Sequence, residues 1–416
     1  MNKKYISLVV IFVLIFTACD GNMKAQTSPV SNLATASPTH IPVDLNARAV
    51  LTSVGDVILH QSVIDGGKLA NGKYNYDYIF KYAAPIFKAS DYTIANYEGT
   101  LNGSPYSGYP MFGAPDAIAT ALKNAGVDMV TTANNHAFDR GVSGLQRTPT
   151  VFIKNGIKVI GTRSKTTDPK FQIVNVNGIK IGFTGYTFET IGTPTGKALN
   201  GMPLPSSAFG LVDSFNPSRE STFQNNMKQM AARIKAMKKA KAECIVFELH
   251  WGQEYQTVSD ATEKRLAKFL SDNGVDVIFG HHPHVLQEIS VIHSSVSGKN
   301  TLVYYSLGNV LANMLYNTHG TNGYAEDAAI ARVEIARDGK GKISIVSGRY
   351  IKTYCYKDNS TGKTKHSIVP VKAALKNPSG FGMKNQTSLL TASSQRISKV
   401  LSKSGGMKNG ILIREY

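Results

Sequence analysis

Val275–Gln287 reads Val-Asp-Val-Ile-Phe-Gly-His-His-Pro-His-Val-Leu-Gln. Imidazole is the commonest metal-ligating side chain, and two rings two or three residues apart on one turn can converge on one ion. His281, His282 and His284 therefore form a candidate metal-binding cluster. The mostly apolar run that ends at Gly280 predicts a buried strand, which puts the histidines just past its C-terminal end. Ligands of open α/β sheets bind at that edge.

The arrangement recurs along the chain. Ala49–Val54 leads into Gly55-Asp56, with His60 four residues on. Tyr92–Ala95 leads into Asn96-Tyr97-Glu98, and Val127–Ala133 into Asn134-Asn135-His136. Cys244–Leu249 leads into His250-Trp251-Gly252, and Leu302–Tyr305 into Ser306-Leu307-Gly308-Asn309. Any one of these is readily a polar loop after an apolar strand. Together they predict one pocket along the C-terminal edge of a sheet.

Asp56, His60, Glu98, Asn135, His136, His250, His281, His282 and His284 combine carboxylate, amide oxygen and imidazole. Such donors suit borderline to hard divalent ions: Mn²⁺, Fe²⁺, Zn²⁺ or Mg²⁺. They exceed the needs of a single ion. Two ions about 3.5–4 Å apart, bridged by a carboxylate, serve hydrolytic displacement at phosphorus. In that scheme Glu98 or Asp56 bridges and Asn135 caps one ion. A metal-bound water attacks, and His136 protonates the leaving oxygen. Trp251, the only tryptophan, either packs on the sheet edge or lines the pocket. Glu254 either supports His250 or lies on the surface. Ser306, beside Gly308, marks a tight loop, and no base is indicated that would make it a nucleophile.

These residues need strands and helices in alternation, and the sequence supplies them from Ala47 to about Asn309. Ala114–Ala125 has Pro115-Asp116 at a helix start and closes on Gly126. Glu220–Lys241 places Phe223, Met227, Met230, Ile234 and Met237 at near-helical spacing, as core packing, with a solvated Lys-rich end. Ser259–Asn273 predicts a helix capped by Ser259, with Leu266, Phe269 and Leu270 on one face. The alternation predicts an α/β sheet with helices on its faces. Phe171–Val176 and Ile179–Phe183 flank Asn177-Gly178, a strong hairpin signal, so the sheet is not purely parallel. Asp327–Tyr356 predicts a β-hairpin turning at Gly339–Gly341, with Ala331, Val333 and Ile335 on one face and Arg332 and Glu334 on the other.

The chain has 416 residues, enough for one large domain or two ordinary ones, and 42% hydrophobic residues supports a sizeable core. Its net charge of +18 favours polyanionic partners: an acidic polymer, an anionic membrane surface or nucleic acid. No nucleic-acid-binding motif is visible, so nucleic acid ranks last. Residues 1–19 predict a secretory leader: Lys3 and Lys4, then Tyr5–Phe16, apolar but for Ser7 and too short for a comfortable membrane span. Phe16-Thr17-Ala18-Cys19 is similar to a bacterial lipobox, in which Cys19 is acylated. The alternative is an ordinary signal peptide cut near Ala18 or Ala25. Either places the protein outside the cytoplasmic membrane. Residues 20–46 read as a flexible Ser/Thr/Pro-rich tether. Cys244 reads as a core residue, and a pairing with Cys355 stays open. The last stretch, residues 376–416, is basic and reads as a loosely ordered end, or else as a polyanion-binding surface.

The motifs together resemble the CapA family of capsule-synthesis proteins linked to poly-γ-glutamate. They are Gly55-Asp56, Asn96-x-Glu98, Asn134-Asn135-His136-x-x-Asp139-x-Gly141, His250-Trp251-Gly252-x-Glu254, Gly280-His281-His282-Pro283-His284-Val285-x-Gln287 and Ser306-Leu307-Gly308-Asn309. The match runs from about Ala49 to Asn309. The resemblance implies a four-layer metallophosphatase-like sandwich, a β-sheet core flanked by helices, over residues 47–375, with a C-terminal β-hairpin extension. It implies Asn96, Asp139, Trp251, Glu254 and Asn309 as substrate-binding or supporting residues around the ligands. The calcineurin-like phosphatases carry Asp-x-His in their first motif, whereas here His60 lies four residues after Asp56. Their bridging residue is Asp, and here Glu98 stands there. Their last motif is Gly-His-x-His, and here either His281 pairs with His284 or His282-Pro283-His284 supplies it.

The family implies a role in poly-γ-glutamate synthesis, export or anchoring, at the membrane with capsule-synthesis partners. A surface metallophosphoesterase and a non-catalytic polyanion-binding lipoprotein are the alternative readings.

Overall fold

In the computed structural model, which describes residues 46–190, 196–360 and 362–416, the first strand already explains the double-sided core. Along β1 (Arg48–Ile58), Ala49 and Leu51 point to one core, and Val54 and Val57 to another. Period-two alternation sets the first pair, and a bulge between Val54 and Asp56 changes the phase. Helices α1 (Gln61–Gly67), α2 (Asp77–Phe80) and α3 (Ala84–Lys88) lead to β2 (Tyr92–Glu98). Helix α4 (Ala117–Ala125) ends on Gly126 at φ 103, a conformation that favours glycine. Then come β3 (Met129–Thr131), a 3-10 turn at Asn135–Phe138, α5 (Gly141–Lys154) and β4 (Lys158–Ile160). Strands β1 to β4 pair in that order, all parallel.

The second sheet begins with β5 (Gln172–Val176) and β6 (Ile179–Phe188), antiparallel across Asn177-Gly178. Both turn residues have positive φ, 48 and 84, as a tight hairpin requires. A short ribbon of β7 (Ala198–Leu199) and β8 (Met202–Pro203) precedes β9 (Ser214–Phe215), which joins β6. Then follow α6 (Glu220–Lys239), β10 (Cys244–His250), α7 (Ala261–Asp272), β11 (Val277–His281), β12 (Ile289–His293) and β13 (Asn300–Tyr304). The order in space is β12-β13-β11-β10-β6-β5. The cap of α7 is Asp260, not Ser259: Asp260 and Glu263 form a reciprocal capping box. The Ser259 hydroxyl is taken by Glu288 instead.

The chain then returns to the first sheet through β14 (Asn309–Leu311), parallel to β1 at Asp56. Strands β15 (Asp327–Arg337) and β16 (Ile343–Asp358) form the expected hairpin. It is no appendage, because β15 pairs antiparallel with β1. β17 (Lys365–Pro370) continues from β16, followed by α8 (Val371–Lys376), α9 (Thr387–Leu401), β18 (Gly406–Lys408) and β19 (Ile411–Glu415). Residues 376–416 are thus not a loose end. β19 pairs with β16, and α9 buries Leu390, Ile397 and Leu401. Arg396 forks onto the buried Asp327 carboxylate at 2.6 and 2.9 Å. Lys and Ser on the outer face of α9 hide that apolar spacing from a reading of composition.

The layers are helix, sheet, sheet, helix. One core lies between α1–α5 and the first sheet, with Phe80, Ile118, Leu122 and Phe152. A second lies between the sheets, with Leu51, Ile94, Phe183, Val246, Phe279 and Val333. A third lies between the second sheet and α6 and α7, where Met227, Met230, Ile234 and Met237 pack as expected. Cys244 and Cys355 are buried free thiols. The leader and the tether, up to residue 45, lie outside the described residues. Among the described residues no helix is long and apolar enough to cross a membrane.

Candidate metal centre

The apolar runs that deliver the polar residues divide between the two sheets. β1, β2 and β3 belong to the first; β10, β11 and β13 belong to the second. Their C-terminal ends meet, so the pocket forms across two sheets and not along one. Two glycines permit the approach. A Cβ on Gly55 would lie 2.1 Å from the Gly308 carbonyl oxygen, and one on Gly280 would lie 1.9 Å from that of Tyr305.

Asp56, Glu98, Asn135, His250, His281, His282 and His284 are all buried there. Ligand atoms of Glu98, His282 and His284 lie within 4.8 Å of one another, as do those of Asp56, Glu98 and His250. Glu98 is common to both groups. It is 3.7 Å from His250 Nε2 and 3.8 Å from His284 Nε2 through Oε1. Among the described residues neither of its carboxylate oxygens has a hydrogen-bond partner. A buried carboxylate left so is costly unless a cation meets it. His250 Nε2 lies 3.0 Å from Asn135 Oδ1, adding an amide oxygen to the set. This donor chemistry fits divalent cations.

The histidine cluster separates by role. Ligand atoms of His282 and His284 belong to the group around Glu98. Both have positive φ, 97 and 58, a conformation that is strained for a side chain with a Cβ and concentrates at functional sites. The backbone N–H of His282 donates to Asp56 at 3.3 Å. His281 is outside both groups. Its Nε2–H donates to Glu248 at 2.6 Å, and its Nδ1 lies 3.4 Å from Asp56.

Supporting contacts surround the donors. Asn96 Nδ2 donates to Asp56 at 2.7 Å. Asn309 Oδ1 accepts from His284 Nδ1 at 3.0 Å, while its Nδ2 donates to the His284 carbonyl at 3.1 Å. Asp139 takes His136 Nδ1 at 2.8 Å and the Phe112 N–H at 2.7 Å. Such partners fix ring orientation and tautomer.

Some expected residues take other places. His60 belongs to neither three-donor group; it precedes α1, its Nδ1 accepts from the Asn313 N–H at 3.1 Å, and its ring packs edge-on to Phe112. His136 also lies outside the groups, beside Phe112. Glu254 faces His284 at 4.0 Å rather than His250. Trp251 is buried in the core beneath the second sheet, donating to the Tyr305 carbonyl at 2.9 Å. Ser306 donates to the Val285 carbonyl and shapes the loop. Sequence reasoning missed Glu248. The available signal was an acid inside the apolar run Cys244–Leu249, two residues before His250 and so on the same face of the strand.

Electrostatics follow from burial. Burial pushes Glu98 well above the usual carboxylate range, with Asp56 adding to the effect and His284 opposing it. Burial acts on Asp56 too, but His281 and His284 outweigh it and hold Asp56 well below that range. Those two imidazoles rise in turn to about 9 against the opposing effect of burial. Burial drives His282 down to about 3 and holds His250 well below its ordinary value. Both rings are therefore neutral at neutral pH, the form in which imidazole ligates.

The sequence profile of the bacterial capsule synthesis protein PGA_cap matches residues 50–314. The chain is 26% identical to the capsule biosynthesis protein CapA of Bacillus anthracis, over 83% of this chain and 76% of the relative. It is 28% identical to the PGA biosynthesis protein CapA of Bacillus subtilis (strain 168), over 82% and 79% respectively. Among solved structures, TT1561 of Thermus thermophilus aligns with a TM-score of 0.34 at 10% identity, covering 71% of this chain and 97% of the other.

Proposed function

The chain belongs to the bacterial capsule synthesis protein (PGA_cap) family, and we propose that it takes part in making, exporting or anchoring poly-γ-glutamate through a divalent-metal site. The two Bacillus relatives are named for capsule and PGA biosynthesis. One observation carries the metal reading: Glu98, buried and with neither oxygen partnered among the described residues, is shared by two three-donor groups. Asp56, Glu98, Asn135, His250, His282 and His284 would hold two ions, drawn from Mn, Fe, Zn or Mg. Bound ions would supply Lewis-acid polarisation of a carbonyl or phosphoryl oxygen. Asn96 holds Asp56, Asn309 holds His284, and Glu248 holds His281 against Asp56. The net charge of +18 would draw a polyanionic chain to the protein in a salt-dependent way. Acylated Cys19 would tether the domain outside the membrane, beside membrane-bound synthesis proteins. In cells that make the polymer, Glu98→Gln is expected to lower its yield to the level of a deletion strain at unchanged protein level. Cys19→Ala is expected to move the protein from the membrane fraction to the soluble one. Normal polymer from Glu98→Gln cells sinks the first reading, and unchanged membrane association of Cys19→Ala sinks the second.

A second reading, hydrolysis of phosphate esters, is favoured by the His136–Asp139 pair beside the donors. Held at Nδ1 by Asp139, His136 could pass a proton to a leaving oxygen, a contribution of about 10²–10⁴ in rate. Turnover of an aryl phosphate that disappears in both Asn135→Ala and His136→Ala is the expected outcome. Turnover that survives both excludes this site as its source.

A further inference from the structure

Beside the metal centre lies a cavity of about 390 Å³. Phe188 is the wall between them: its ring centroid is 4.5 Å from that of His282 and 6.3 Å from that of His250, while the same residue lines the cavity. Trp251 and Phe215 form further apolar walls. The charged lining is of one sign. Glu189, Asp260 and Glu263 line the cavity, and no Lys, Arg or His is among the described residues that do. This is unexpected in a chain whose net charge is +18. Glu189 is met from outside the lining by Lys197 at 3.5 Å. Asp260 Oδ1 accepts the Glu263 N–H at the start of α7. Glu263 Oε2 accepts the Asp260 N–H, while its Oε1 has no hydrogen-bond partner among the described residues, with the Gln287 side chain its polar neighbour, although the residue is only 1% exposed.

We propose that this cavity binds a primary ammonium group, placed by Glu263 and walled by Trp251 and Phe188, next to the metal centre. A buried carboxylate with a free oxygen is stabilised by a cation that can donate to it. Aromatic faces add attraction for an ammonium group. Carboxylates repel the anionic side chains of polyglutamate, so the cavity takes the one positive group such a polymer carries, its free amino end, and not its flank. Burial also pushes Glu263 up to about 8, as expected of an acid that lacks a cationic partner. A free diamine presents the same chemistry. The inference depends on the capsule reading only for the polymer as the source of the amine.

Trp251 is the sole tryptophan, so its fluorescence reports entry into the cavity. The purified full chain is titrated with putrescine, with γ-linked tetraglutamate bearing a free amino end, and with the same tetramer N-acetylated. The amine-bearing tetramer is expected to change the emission saturably and to bind at least about tenfold tighter than the acetylated one, the scale of one buried charge-assisted hydrogen bond. Glu263→Gln keeps an acceptor for the Asp260 N–H and is expected to weaken binding by about tenfold or more. Thr262→Lys carries its own ammonium into the cavity and is expected to abolish binding, with circular dichroism confirming the fold of both variants. Putrescine binding without tetramer binding supports the site and identifies a free amine as its ligand. Equal binding of the acetylated and free tetramers overturns the proposal. So does parental putrescine affinity in folded Glu263→Gln, or no response to either amine. Repeating the titration in Glu98→Gln separates the two readings, because that variant tests the metal centre and leaves the cavity lining unchanged.

Discussion

Glu98→Gln is expected to lose bound metal while its metal-free form stays at least as stable as the metal-free parent. The carboxylate is buried with no hydrogen-bond partner for either oxygen among the described residues, so in the absence of a cation it is a cost to the fold. Gln has the same shape without the charge, and its amide oxygen still faces the His250 and His284 Nε2 atoms, which lie 3.7 and 3.8 Å from Oε1. Removing an unpaired buried charge relieves a penalty of order 1–3 kcal/mol. Removing a ligand shared by two donor groups costs at least about a hundredfold in metal affinity, the upper end of what losing a mere supporting residue costs. Elemental analysis after incubation with Mn²⁺, Fe²⁺ or Zn²⁺ is expected to find metal in the parent and none in the variant. Thermal melts should show metal raising the melting temperature of the parent alone. Stoichiometric metal in the variant, or a metal-free variant several degrees less stable than the metal-free parent, would make Glu98 a structural residue.

Gly280→Ala is expected to destabilise the protein by about 3–5 kcal/mol, the scale of severe core substitutions. The added methyl would lie 1.9 Å from the Tyr305 carbonyl oxygen and 2.5 Å from Trp251 Nε1. Those two atoms bond to each other at 2.9 Å, and the Leu307 N–H donates to the Gly280 carbonyl at 3.1 Å. The obstruction is therefore backbone that cannot rotate away. Relief requires moving the loop after β13 away from β11, which carries Asn309 away from His284. Metal affinity should fall together with stability. Gly339→Ala, on the β15–β16 turn, meets nothing within 4 Å and should stay within about 0.5 kcal/mol of the parent. Urea unfolding of both variants checks the pair. Equal stability of Gly280→Ala and the parent would mean that the close approach of β11 and the Tyr305 loop is dispensable.

Much of the site was legible because strand ends announce themselves. A run of Val, Ile, Phe and Ala that stops at Asp, Asn, Glu or His must leave the core there, since an unpartnered polar group inside it is costly. That logic picked out Asp56, Glu98, Asn135, His250 and the His281–His284 cluster, which the fold gathers in one place. It does not carry over to His60, where the chain has already turned into α1 and the ring goes to Asn313 and Phe112. It passed over Glu248, which sits inside β10 where polar residues are not sought, yet holds His281 at 2.6 Å. It also read residues 376–416 as loose, because the side of α9 facing the sheet is carried by only a few residues, Leu390, Ile397 and Leu401 among them.

The sequence by itself determined the alternation of strands and helices up to about Asn309, the hairpin at Asn177-Gly178, the family and the types of donor at each strand end. These are local matters, set by alternation, turn chemistry and residue type within a few positions. Only the tertiary structure decided which donors meet. β1, β2 and β3 bring Asp56, Glu98 and Asn135 from one sheet, while β10 and β11 bring the histidines from the other. Their convergence depends on two sheets packing face to face through Leu51, Ile94, Phe183 and Phe279. His282 and His284, both at positive φ, stand in the group around Glu98, and His281 stands outside it. No spacing encodes either fact, because both arise from contacts between segments far apart in the chain and from backbone strain that only the packed fold can hold.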